Sequence, residues 1–249
     1  MDYFAEFFKT LPRQGPGDDA STLRALAFME NLPEKPKILD IGCGTGAQTL
    51  ALAKALDCEI TALDIQPEVL EILDEKIRAE KLEDRIKTLQ ASMFEMPFEE
   101  KTFDIVWSEG TIYNMGFEEG VLEFKHFLKP GGYFAVSEIV WTRNDTPSEI
   151  YSFWKKAYPA MDFISSKTVI LERQNMMPKG YFLLPEKAWM ENYYLPMQEQ
   201  KQEFLKNFGD DPEAKQIIRA IEGEFATYRK FRNYYNYAFF IAQRQFPIT

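Results

Sequence analysis

Apolar positions along this chain switch between two periods, and the switches mark out its elements. Tyr3, Phe4, Phe7 and Phe8 share a helical face, which breaks at the turn-forming stretch Arg13-Gln14-Gly15-Pro16-Gly17. Asp18, Asp19 or Ser21 can cap the next helix, which is expected to bury Leu23, Leu26 and Ala27 and to end near Pro33. After Pro36 the run Ile38, Leu39, Ile41 reads as a strand, and Ala47 to Leu56 as a helix. Glu59 to Ile65 is a second strand, and Pro67 opens a helix with Val69, Leu70, Leu73 and Ile77 on one side. Ile86 to Leu89 and Phe103 to Ser108 are further strands, separated by the loop Ser92 to Lys101. Glu118 to Leu128 is helical, Lys129-Pro130-Gly131-Gly132 a turn, and Tyr133 to Ile139 a fifth strand.

Beyond residue 140 the rhythm changes. Ile150, Phe153, Trp154, Ala157 and Tyr158 have helical spacing within Ser148 to Tyr158, and Tyr181 to Leu184 reads as a strand. Glu186 to Phe208 is helical with a break at Pro196. Pro212 to Tyr234 is a long helix burying Ile217, Ile218, Ile221, Phe225 and Tyr228, and Tyr235 to Ala242 is the last strand. Strands alternating with helices at this spacing predict an α/β fold: a doubly wound, mostly parallel seven-stranded sheet with helices on both faces and a helical cap from C-terminal insertions. A single domain over 1–249 is expected, with N-terminal helices or a lid in 1–35, a cofactor-binding core in 36–140, and a substrate-side cap with the last strands in 141–249. In such sheets ligands sit beyond the carboxyl ends of the strands. Gly42 to Gly46, Asp64, Ser92-Met93 and Ser108-Glu109 all fall there.

Charge narrows the partners. The chain's 249 residues carry 29 basic and 39 acidic side chains, a net charge of −10. That argues against a phosphate-backbone partner, so no nucleic acid is expected. Hydrophobic residues at 45% suffice for a full core. The two cysteines, Cys43 and Cys58, suggest no disulfide framework, and Cys43 reads as a small residue in a tight turn. No apolar run approaches a membrane span and the first residues are acidic where a signal peptide is basic, so a cytoplasmic protein without a membrane partner is expected, as a monomer or homodimer.

The chemistry concentrates in Lys37 to Leu50, KILDIGCGTGAQTL. Strand, glycine turn and helix bring backbone N–H groups and a helix N-terminus to a nucleotide-like ligand. Gly42-x-Gly44-x-x-Ala47 fits the dinucleotide fingerprint, and Asp64, eighteen residues after Gly46, can accept the ribose hydroxyls of NAD or of S-adenosylmethionine; its alternative role is to cap the helix at Pro67. Three features separate the cofactors: the tight Gly-Cys-Gly-Thr-Gly preceded by Asp40, the loop ASMFEMPF ending in Pro97-Phe98, and Leu128-Lys129-Pro130-Gly131-Gly132 before the fifth strand. Together they resemble the class I (Rossmann-like) S-adenosylmethionine-dependent methyltransferases, in particular the small-molecule branch that includes quinone-biosynthesis methyltransferases. The resemblance covers about Pro36 to Ile139.

The resemblance implies that Gly42, Cys43, Gly44 and Gly46 pack against the methionine half of S-adenosylmethionine, with Asp40 near its amino group. It implies that Asp64 and Ile65 hold ribose and adenine, that Ser92 and Met93 touch the adenine, and that Ser108 and Glu109 line the methyl-bearing side. Ser92 stands where the family usually has an acid. Gln14 and Gly15 are candidates for a lid over the cofactor. The implied reaction is in-line displacement of the sulfonium methyl onto a small-molecule acceptor, for which the protein mainly aligns the nucleophile and excludes water. If the acceptor must lose a proton, Glu109 is the first candidate base; Tyr113 and Asn114 in the same loop can orient it. His126, the one histidine, lies away from the strand ends, and no cluster has metal-ligand spacing. Trp141, Trp154, Tyr158, Trp189, Tyr193 and Tyr194 can form a lid suited to a flat aromatic or a cationic amine. An NAD(P)-dependent oxidoreductase and a non-catalytic cofactor-binding protein are the competing readings; the Lys-Pro-Gly-Gly turn and the absence of a Tyr-x-x-x-Lys pair count against the former.

Overall fold

The first long apolar run sits at the middle of the sheet. The computed structural model describes residues 2–246. Helices α1 (Tyr3–Phe8) and α2 (Asp19–Leu26) precede β1 (Lys37–Ile41), α3 (Ala47–Ala55), β2 (Glu59–Asp64), α4 (Pro67–Ala79), β3 (Ile86–Gln90) and β4 (Phe103–Glu109). Then follow α5 (Phe117–Phe127), β5 (Leu128–Trp141), α6 (Ser148–Ala157), β6 (Asp162–Phe163), α7 (Ile164–Arg173) and β7 (Met176–Leu183). The chain continues through α8 (Glu186–Trp189), α9 (Leu195–Phe208), α10 (Pro212–Phe231) and β8 (Tyr235–Arg244). The strand order is β3-β2-β1-β4-β5-β8-β7, with the two-residue β6 paired beside the end of β5. β1 to β5 are mutually parallel, and β8 runs antiparallel to both β5 and β7. The chain winds outward from β1 through β2 and β3, then restarts on the other side at β4. The crevice this reversal leaves lies between β1 and β4.

Alternate strand residues feed two apolar layers, as a two-residue period requires. Leu39, Ile41, Val106, Phe134 and Val136 pack with Phe117, Val121 and Phe124 of α5. On the other face Ile38, Ile60, Ile105 and Trp107 pack with Leu52, Leu70, Leu73 and Ile77. No helix among the described residues is long and apolar enough to cross a membrane.

The structure corrects four of the local expectations. α2 ends at Leu26, not near Pro33, and it turns Ser21, Thr22 and Ala25 inward while Leu23 is 42% exposed and Ala27 is also exposed. Polar contacts made by Thr22, described below, decide that rotation over apolar content. The strand expected over Tyr181 to Leu184 begins five residues earlier, at Met176, and ends at Leu183. Lys129 to Gly132 is not a free turn. It belongs to β5, whose pairing with β4 shifts register between Phe103 and Ile105, and Gly131 takes φ +80°. Finally, α7 and β6 have no counterpart in the expected elements; of the two buried positions on α7, Leu171 is apolar but the other is Lys167, 1% exposed. The expected break near Pro196 takes the form of a π-helical turn over Met190–Tyr194 ahead of α9. Proline has no N–H to close the ordinary helical bond there.

Candidate functional site

A cavity of about 470 Å³ opens in the crevice at the carboxyl ends of β1, β2 and β4. Its floor is the glycine turn. Gly42 and Gly46 adopt φ +72° and +81°, and a Cβ on Gly42 would lie 2.2 Å from the Thr111 methyl. Thr111 in turn donates to the Gly42 carbonyl at 3.3 Å, closing β4's loop over β1's. Asp64 stands across the cavity at the end of β2. Its carboxylate accepts the Gly44 N–H at 2.9 Å and the Gln66 N–H at 3.0 Å. Each oxygen keeps a free lone pair, so a ribose diol can still be accepted. Ile65 and Phe94, both more than 60% exposed, and Ser92 with Met93 form an apolar-edged wall beside it. The Ser92 hydroxyl accepts the Phe94 N–H at 3.2 Å and retains its own proton to donate.

The N-terminal segment covers this cavity. Phe4, Phe8 and Arg13 to Pro16 line it. Gln14 bridges the segment to the glycine turn: its amide donates to the carbonyls of Phe8 and Leu11 and its oxygen accepts the Thr45 N–H, at 3.0–3.1 and 2.9 Å. Both of its N–H donors are thereby committed to protein, so Gln14 shapes the wall, and Gly15 lines it. Phe4 and Phe8 were not singled out in the sequence as site residues. Their i, i+4 spacing read as a core-facing stripe, yet Phe4 stacks on Phe8 at 4.3 Å while 54% exposed.

Of the remaining expected site residues, Cys43, Glu109 and Tyr113 reach the cavity wall, and Asp40, Gly46 and Ser108 do not. Gly46 is the contact point for Leu73 of α4, 2.1 Å from where its Cβ would be. Ser108 is fully buried and donates to the Ile41 carbonyl at 2.9 Å. Asp40 lies beneath the turn, accepting from Thr49 at 2.6 Å and Gln48 at 3.2 Å. These three hold the turn in shape from behind. Burial pushes the Cys43 thiol well above its ordinary range, so it is a packing group.

Burial also pushes the Asp40 carboxyl up to about 7, against the bonds from Thr49 and Gln48. A carboxyl raised in the fold stabilises it fully below its unfolded value, and that stability is lost as pH rises from 3.8 through about 7. Asp40→Asn, which keeps the shape without the charge, is therefore expected to melt at the same temperature as wild type near pH 4. At pH 8 it should be more stable by up to a few kcal/mol. Thermal melts at the two pH values check this, and an Asn variant less stable at pH 8 would contradict it.

Glu109 is more occupied than a free base. Trp107, on the same strand face two residues earlier, donates its indole N–H to Oε1 at 3.0 Å, and Thr22 donates to the same oxygen at 2.7 Å. Arg13 lies 3.4 Å from Oε2 and 2.7 Å from Asp19. Burial pushes the Glu109 carboxyl up, with Arg13, Thr22 and Trp107 opposing it. The residue therefore fastens the N-terminal segment to the end of β4.

A second cavity of about 260 Å³ adjoins the first, sharing Pro16 and Tyr113 with it. Of the six aromatic residues expected as a lid, Trp154, Tyr158, Trp189, Tyr193 and Tyr194 line it, joined by Tyr235 and Tyr237 from β8. Trp141 does not; it stacks on Tyr151 at 5.8 Å. Tyr158 is fixed by donating to Glu138 at 2.6 Å.

Comparison with known proteins shows what this chain is similar to. Residues 38–132 match the family described as a methyltransferase domain. That stretch is less than half of the chain. The matched residues include the glycine turn, Asp64, Ser92-Met93 and Glu109. The chain is 33% identical over 118 residues to a sterol 24-C-methyltransferase of Debaryomyces hansenii, covering 47% of this chain and 31% of that protein. It is 31% identical over 136 residues to a demethylmenaquinone methyltransferase of Chlorobaculum tepidum, covering 54% of each. The matched stretch thus spans about a third to a half of the length of these relatives. Across the whole fold, the chain is similar to a SAM-dependent methyltransferase from Geobacter sulfurreducens solved with S-adenosyl-L-homocysteine: TM-score 0.84, 16% identity, 98% of both chains covered. That agreement is one of fold, and it extends beyond the matched residues into α6 to β8.

Proposed function

We propose that this chain is an S-adenosylmethionine-dependent methyltransferase acting on a small-molecule acceptor. The observation that carries the reading is the pairing of two cavities: one between the glycine turn and Asp64, covered by the N-terminal segment, and an aromatic one that meets it at Pro16 and Tyr113. The residues present suit the cofactor. Asp64 offers lone pairs to a ribose diol, Ile65, Phe94 and Met93 offer apolar surface to an adenine, and the Gly42–Gly44 turn leaves room for a methionine chain. When bound, the cofactor supplies an activated sulfonium methyl. The chain's own work is then to orient an acceptor at Tyr113 and to keep water out with Phe4, Phe8 and Arg13 to Pro16. Residues 1–35 serve as the lid and 141–249 as the acceptor-side cap in this reading.

Calorimetric titration with S-adenosylmethionine, S-adenosylhomocysteine and NAD in parallel tests it. Binding of both sulfur compounds without NAD is the expected result; NAD alone would return the oxidoreductase reading.

Glu109 acts here as the fastener of the lid, not as a proton acceptor. Glu109→Gln is expected to weaken cofactor binding several-fold, because the contact with Arg13 loses its charge, while leaving turnover at saturating cofactor within about twofold. A role as base predicts the opposite: unchanged cofactor affinity and a loss of about 10²-fold or more in turnover. Steady-state kinetics combined with the calorimetric affinity separates the two.

A further inference from the structure

The aromatic cavity carries one carboxyl group. Glu224 of α10 lines it, and its Oε1 accepts the Tyr194 hydroxyl at 3.1 Å. No lysine, arginine or histidine lines the cavity, and no cation forms a salt bridge with Glu224 among the described residues. Of the buried carboxylates, Glu138 is paired with Lys167 and Glu109 with Arg13, while Asp40 is completed by the neutral donors Thr49 and Gln48; half-buried Glu224 has only the Tyr194 hydroxyl. A desolvated carboxylate without a cation is costly unless something completes it. Around it stand the faces and edges of Trp154, Trp189, Tyr193, Tyr235 and Tyr237. The Tyr193, Tyr235 and Tyr237 hydroxyls make no hydrogen bond to the described residues. An aromatic enclosure with one carboxylate is complementary to an organic cation, since ring faces and carboxylate attract positive charge together.

Resting on the methyltransferase reading, we infer that the acceptor is a small organic amine with an apolar body, held in its ammonium form by Glu224 within the aromatic cavity. Transfer to such a nitrogen balances simply. The ammonium releases one proton to solvent, the freed lone pair forms the bond to the methyl carbon, and the carbon–sulfur pair returns to sulfur as the thioether product forms.

The test uses the full chain and three probes of one shape: 2-phenylethylammonium, 2-phenylethanol and 3-phenylpropanoate, titrated calorimetrically at pH 7.5. The ammonium is expected to bind at least tenfold tighter than the alcohol, and the carboxylate not at all. Glu224→Gln should erase the preference for the ammonium while alcohol binding stays unchanged. Thr227→Lys, on the same helix at the cavity wall, adds a cation without removing a buried group and should abolish ammonium binding. Far-UV circular dichroism and S-adenosylhomocysteine affinity, measured on each variant, report whether it is folded. Overturning results are an alcohol that binds as tightly as the ammonium, a carboxylate that binds more tightly, or no ammonium binding at millimolar concentration. If any of these occurs while S-adenosylhomocysteine still binds, only the amine assignment fails. If S-adenosylhomocysteine does not bind wild type, the methyltransferase reading fails instead.

Discussion

Lys167→Met is expected to lower the free energy of unfolding by about 3–5 kcal/mol, the range for breaking a buried ion pair from one side. Lys167 and Glu138 are 2% and 0% exposed at their side chains, with Nζ 3.0 Å from Oε1. The ammonium also donates to the Ala160 carbonyl at 3.0 Å and lies 4.8 Å from the centre of the Phe117 ring. Methionine fills most of the stem's volume, so the loss comes from charge and not from a void. Left behind is a carboxylate among apolar neighbours whose Oε2 already has no partner. Burial raises the Glu138 carboxyl even with Lys167 beside it, and the variant raises it further. A carboxyl raised in the fold destabilises most when ionised, so the loss should be larger at pH 8 than at pH 5. Lys167→Met combined with Glu138→Gln should recover much of it, because no charge then remains buried. Urea unfolding of the single and double variants at both pH values is the measurement. A loss below about 1 kcal/mol that does not change with pH would show that the pair contributes little. Because Tyr158 is fixed on the same carboxylate, the single variant should also loosen the wall of the aromatic cavity.

Asp64→Ala is expected to weaken S-adenosylmethionine binding by more than tenfold. Hydrogen bonds to a charged acceptor contribute about 1.5–3 kcal/mol each, and about 1.4 kcal/mol is tenfold in affinity. The substitution removes the acceptors for the ribose and the fastening of the Gly44 and Gln66 N–H groups together. Asp64→Asn keeps one acceptor oxygen, so it should fall between wild type and alanine. Calorimetric dissociation constants for the three proteins, alongside their melting temperatures, separate ribose binding from support of the turn. Equal dissociation constants would remove Asp64 from the cofactor site. Equal melting temperatures with a graded loss of affinity would place its effect on the ligand.

Much of this was readable one segment at a time. The strand Ile38 to Ile41, the glycines after it, the acid at the end of the next strand and the Pro67 helix start each depend on periodicity or backbone conformation within about ten residues. The five central strands and β8 lie where the apolar runs are, and β7 does so only at its end, Tyr181 to Leu183. The exceptions share a cause. α7 escaped because a lysine stands at one of its two buried positions, and a lone lysine reads as solvent-exposed until its partner is known. α2 rotated away from its apolar pattern because Thr22 reaches Glu109, 87 residues later.

The same divide runs through the site. The sequence by itself determined the α/β order, the positions of the strand ends, the glycine turn and the residues gathered around it. Tertiary structure alone decided what those residues are free to do. Asp40, Ser108 and Glu109 sit near the strand ends and Gln14 lies over the glycine turn, but they bond to Thr49, Ile41, Arg13 and Thr45. Glu224 has no cation among the described residues, and it faces a cavity built from α6, α8, α10 and β8. Backbone conformation and apolar period are local properties, written in neighbouring residues. The availability of a polar atom is set by desolvation and by which donors the packed fold brings to it, and those donors come from segments tens to hundreds of residues away.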